Sequence, residues 1–146
     1  MKFPSKLFIV PLVFFVTACS IAKEHKVNDT FRPVSGTKTV VVGLPLDKNG
    51  APDKKIADFK IIMNPGQKIV FAGPEKFSVF FKNRKSPTDL IKNNSRDGVV
   101  TIRIPRDLLD KPIYQDELKK NGFVEFNYGV DVEGKEIDPK IIIVRE

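Results

Sequence analysis

From residue 37 onward the apolar positions recur in short runs with a period of two, the pattern of strands with one face inward. TKTVVVGL (37–44) is β-branched and nearly continuous, which predicts a strand buried on both faces. DFKIIMN (58–64) sets Phe59, Ile61 and Met63 against Lys60, Ile62 and Asn64, and Asn64-Pro65-Gly66 follows with the order of a type II turn. KIVFA (68–72) and FSVFFK (77–82) come next, the latter with Phe77, Val79 and Phe81 on one face. GVVTIRIP (98–105) points Val100, Ile102 and Ile104 one way, and FVEFNYGVDV (123–132) does the same with Val124, Phe126, Tyr128, Val130 and Val132. KIIIVR (140–145) closes the chain.

About seven short strands separated by turn residues predict an all-β, antiparallel sandwich. Helix is expected at two places only. Ser86 could cap a turn with Pro87 at its first position, and 114–121 could form a helix stopped by Gly122, with Asp116 and Glu117 early and Lys119 and Lys120 late. Asn93-Asn94-Ser95 fits a glycosylation triplet but is expected to make a turn.

Residues 1–36 break this pattern. Lys2 and Lys6 precede the apolar run of 7–18, which Pro11 interrupts. It is shorter than the roughly 20 apolar residues a spanning helix needs, and small residues then lead to the only cysteine. Val16-Thr17-Ala18-Cys19 resembles the bacterial lipobox. The resemblance implies cleavage before Cys19, a diacylglyceryl thioether on its sulfur and acylation of the freed amine, a palmitate-type anchor. Two or more acyl chains make membrane attachment stable. In such lipoproteins an aspartate after the cysteine favours inner-membrane retention; Ser20 here implies the outer membrane, facing the periplasm. The expected organisation is a signal peptide at 1–18, a flexible lipid-anchored tether at 19–36 and a sandwich at 37–146.

Two passages of the sandwich resemble a family. Asn64-Pro65-Gly66-Gln67-Lys68-Ile69-Val70-Phe71, followed by Gly73-Pro74-Glu75-Lys76-Phe77-Ser78-Val79, is similar to the turn, strand, loop, strand passage of cupredoxin-like Greek-key domains, and 127–144 to their last two strands. A blue-copper site requires two imidazoles and a thiolate, usually with an axial methionine. The positions where the resemblance would put them, 73–77 and 133–139, hold no cysteine, histidine or methionine. A copper-free variant with no cofactor is therefore expected.

Charge adds little direction. The chain carries net +7, which becomes +5 once Lys2 and Lys6 leave with the leader. Lysines interleaved with acids suit a solvated surface, although anionic lipid or glycan near the anchor is conceivable; nucleic acid is not expected. With one cysteine the chain cannot close a disulfide of its own. His25, the only histidine, falls in the tether, where nothing could hold it as a general base, and no serine has G-x-S-x-G context. Asp131, Glu133, Glu136 and Asp138 around Gly134 are candidates for a hard cation, or else a charged hairpin that discourages edge pairing. Phe80 should point away from Phe77, Val79 and Phe81 and so could anchor a partner.

The sequence thus predicts a non-catalytic envelope lipoprotein that binds a protein partner through an open sheet edge or the Phe80 face, similar in layout to small β-sandwich lipoproteins of secretion systems. The alternative expectation is a periplasmic solute or metal-ion binding protein using the 131–138 hairpin.

Overall fold

The computed structural model describes residues 30–33 and 37–145, so Cys19, His25 and the leader lie outside the described residues. The described chain is built of β1 (Thr30–Phe31), β2 (Thr39–Gly43), β3 (Lys60–Met63), β4 (Lys68–Ala72), β5 (Ser78–Phe81), β6 (Lys92–Asn94), β7 (Val99–Arg103), β8 (Phe123–Val132), β9 (Lys135–Ile137) and β10 (Lys140–Val144), with one α-helix, α1 (Gln115–Asn121). Every strand the alternation predicted is present.

The strands form two sheets. The larger runs β1-β3-β10-β8-β5-β6 with β9 also on β8, and the smaller runs β2-β4-β7. β9 and β10 share one register on β8: Ile137 faces Val130 and Lys140 faces Asn127, so they are one strand broken at Asp138-Pro139. Pro139 has no N–H to give, but its carbonyl still accepts from Tyr128 N at 3.3 Å across the break.

Antiparallel pairing, expected throughout, holds for five ladders and fails for three. β1 with β3, β3 with β10 and β2 with β4 are parallel. The reason lies in what the turns connect. Asn64-Pro65-Gly66, with Gly66 at φ 87° and Gln67 N donating to Asn64 O at 3.2 Å, is the turn its residues predicted, yet it joins β3 of one sheet to β4 of the other. Asp97-Gly98, both at positive φ, likewise takes the chain from β6 in one sheet to β7 in the other. Both turns are corners of the sandwich, the second closed by reciprocal hydrogen bonds between Arg96 and Val99, so the strands they join lie in different sheets. Glu133-Gly134, at φ 52° and 82°, is a true two-residue hairpin between β8 and β9.

The inward faces meet in one core. Ile61, Met63, Ile69, Phe71, Val79, Ile104, Val124, Phe126, Tyr128, Val130, Ile141 and Ile143 are completely buried. Tyr128 lies among Phe71 and Phe81, with ring centroids 5.5 and 6.4 Å away. β2 departs from its expected double burial: Val40 and Val42 face the core, while Val41 is 61% exposed. Among the described residues nothing covers Val41 on the outer face of the smaller sheet, so an unbroken apolar run alternates like any other strand.

α1 ends as its sequence implied, with Gly122 at φ 77° and its N–H on Leu118 O at 2.8 Å. Ser86 makes no helix; its Oγ accepts from Thr88 N at 3.1 Å and donates to Leu90 O at 2.7 Å, closing a compact loop between β5 and β6. Asn93 and Asn94, expected in a turn, pair with Val79 and Ser78 as β6. The tether expectation also shifts, because Thr30–Phe31 is a strand on the edge of β3 and the Phe31 ring sits 4.8 Å from that of Phe59.

Candidate functional site

The smaller sheet presents a flat outer face whose composition follows from its registers. Val41 pairs with Val70 and Val70 with Thr101; Gly43 pairs with Ala72 and Ala72 with Val99; Thr39 pairs with Lys68 and Lys68 with Arg103. One end of the face is therefore apolar and the other carries two cations side by side. No aspartate or glutamate occurs at any outward position of these strands. Like charges directly opposite on a sheet destabilise it unless an anion meets them, and neither Lys68 nor Arg103 has an acidic partner within 4.0 Å among the described residues.

β7 is an edge strand, and the face continues around it. Between β6 and β7 lies an open concavity of about 580 Å³ lined in part by Leu90, Asn93, Val99 and Thr101, with Lys92 and Arg96 at its rim and no acid in its lining. Leu90 is 59% and Val99 40% exposed. The buried Nδ2 of Asn93 meets no acceptor among the described residues. An extended segment laid along β7 would find free backbone groups, two apolar side chains and flanking cations.

Phe80 does not stand free. It is half-buried, pairs with Gly129 across β5 and β8, and lies over that glycine so closely that a Cβ there would sit 2.7 Å from its Cε1. Its ring covers backbone the glycine leaves bare, which takes it out of use as a projecting anchor.

The acidic hairpin is divided. Glu136 Oε1 and Asp138 Oδ1 hold Lys82 Nζ at 3.0 and 2.5 Å. The hydrogen bond from Lys82 holds the Asp138 carboxyl below its usual range, and the bond to Asp138 raises Lys82. Asp131 accepts from Gly134 N at 3.4 Å inside the turn, and Glu133 is exposed at positive φ. Among the described residues no three carboxylates, histidines or cysteines are gathered so as to hold a metal ion. Glu136, Asp138 and Asp131 thus brace a strand and a turn, while Glu133 is exposed.

A second polar arrangement was not legible in the sequence. Lys85 Nζ reaches Glu117 Oε2 at 2.5 Å and Glu125 O at 2.6 Å, over the ring of Phe126 at 5.1 Å, while Glu117 Oε1 accepts from Glu125 N at 2.9 Å. Burial would raise Glu117, but the Glu125 N–H and Lys85 outweigh it and the carboxyl falls below its ordinary value. This clamp fixes α1 to the start of β8. Lys85 is 32 residues from Glu117 and 40 from Glu125, beyond any local motif.

Cys19 and His25 lie outside the described residues. No described helix is long and apolar enough to cross a membrane. No protein-family model matches the chain, and no curated protein matches it.

Proposed function

We propose that the chain is a non-catalytic binding or assembly module of a bacterial envelope, held at the outer membrane by lipid on Cys19, that receives an extended, acid-flanked apolar segment of another envelope protein on the outer face of β2-β4-β7 and along β7. One observation carries this reading: a flat face with Val41 and Val99 exposed, cations at one end and no acid on it. A carboxylate from the partner would relieve the Lys68–Arg103 repulsion, and its apolar side chains would cover Val41, Val70 and Val99. The lipobox resemblance supports the anchor, and the sequence-adjacent strands that cross between the two sheets support a copper-free cupredoxin-like Greek-key arrangement for the domain.

The test is site-specific photocrosslinking in intact cells, with the reactive side chain at Thr101 or, as control, at Glu133. The expected result is one adduct from Thr101 and none from Glu133, lost in Val41→Lys and Val99→Lys while the protein still folds and fractionates with membrane. An adduct from Glu133 only, or one insensitive to both lysines, overturns the docking face. A Cys19→Ala chain that still fractionates with outer membrane overturns the anchor.

A further inference from the structure

At the end of the sandwich where β3 turns into β4, a cleft of about 650 Å³ opens between the 64–67 turn, the loop after β7 and the end of β10. Its lining includes Lys38, Arg106, Arg145, Asn64 and Gln67, and a single acid, Asp110. That acid is already engaged: Arg145 Nη2 donates to Asp110 Oδ1 at 2.9 Å and to Leu109 O at 3.1 Å. The two bonds orient the guanidinium and leave N–H groups on its other nitrogens. Lys38 and Arg106 meet no carboxylate among the described residues within 4.0 Å.

The position of Arg106 is built in. Its side chain lies across Gly66, where an added Cβ would come within 3.1 Å of Cγ, and Gly66 at φ 87° is the residue that the turn itself requires. Gln67 Oε1 is used by Asn64 N at 2.7 Å, which leaves its amide nitrogen as a donor. Among the described residues, Lys38 and Arg106 with amide donors and the Asp110-paired Arg145 therefore converge on one concavity with an excess of positive charge, and such a site is complementary to an oxyanion with several acceptor oxygens.

We infer that this cleft binds a phosphate ester, presented either by a lipid or glycolipid headgroup or by a soluble molecule. The cleft adjoins the cationic end of the β2-β4-β7 face, where Lys68 N donates to Lys38 O at 2.8 Å, but shares no lining residue with it, so substitutions at Val41 and Val99 test the face and those at Lys38 and Arg106 test the cleft.

Pyrophosphate and glycerophosphate are the probes, titrated calorimetrically into the full chain in detergent at low salt. Saturable binding is expected, weakened about tenfold or more by Arg106→Gln and further by Lys38→Gln, the size expected when a charge-assisted hydrogen bond is lost. Lys119→Gln, on α1 away from the cleft, should bind as the wild type does, and circular dichroism should show all variants folded. No binding by the wild type, or equal binding by the Lys38→Gln/Arg106→Gln pair, overturns the site. Sedimentation with phosphatidylcholine vesicles, with and without phosphatidylglycerol, assigns the source. Stronger retention of the wild type than of the paired variant on the anionic vesicles makes a headgroup the ligand. Equal retention, with soluble-phosphate binding intact, makes it a soluble ester.

Discussion

Phe80 and Gly129 show how one residue's role depends on the residue across from it. Alternation placed Phe80 on the outer face correctly, but only the register puts a glycine opposite, and a ring over a glycine is a covered contact. Gly129→Ala would push the ring off its seat. It should cost about 1–2 kcal/mol, as overpacking does. In a Phe80→Ala background the same change should cost clearly less, giving a coupling on the order of 1 kcal/mol in a double-mutant cycle by urea unfolding. Additive costs would show that ring and backbone do not touch as described. The sequence held the glycine in view, inside a strand of alternating apolar residues, which is one sign of close approach by a neighbour.

At the scale of elements, the long strands were legible because their inward residues alternate over four or more positions, whereas β1, β6 and β9 are two or three residues long and show no period. Asp97-Gly98 is a turn signal in the sequence, but no local pattern reveals that it turns a corner between sheets. The Lys85–Glu117 clamp is illegible for the same reason: it depends on α1 being laid against β8. Because Glu117 is lowered from its ordinary value of 4.5, its contribution is full above the unfolded pKa and is lost as pH falls through the folded one. Lys85→Met should therefore destabilise the protein by about 1–3 kcal/mol near neutral pH, from the lost charged hydrogen bonds and the carboxylate left behind. The difference from wild type should narrow as pH falls below the ordinary glutamate value and through the lower folded one, beneath which the carboxyl is neutral in both proteins. Urea unfolding across that range measures it, and a difference constant with pH would assign Lys85 a packing role only.

For the whole molecule, what matters is where the domain can stand relative to its proposed anchor. With all of 19–36 as leash, the 18 steps from Cys19 to Thr37 could reach at most roughly 60–65 Å, but among the described residues Thr30 is already docked, and the 11 steps to it reach at most roughly 36–40 Å. The short strand β1 thus shortens the reach by about 25 Å for only two ladder residues, Thr30 on Lys60 and Phe31 on Ile61. Phe31 against Phe59 supplies most of what holds it, since Thr30 is exposed. Phe31→Ala should release β1 at a cost of about 1–2 kcal/mol, the range for truncating a partly buried aromatic with one ring partner. Hydrogen exchange separates the consequences. The amides of Phe31 and Arg32 should lose protection in the variant, together with any β3 amide directed at β1, while the β3 amides directed at β10 keep theirs. Protection at Phe31 unchanged by the substitution would mean that backbone pairing alone holds the segment, and the leash would then have a fixed length that no single side chain controls.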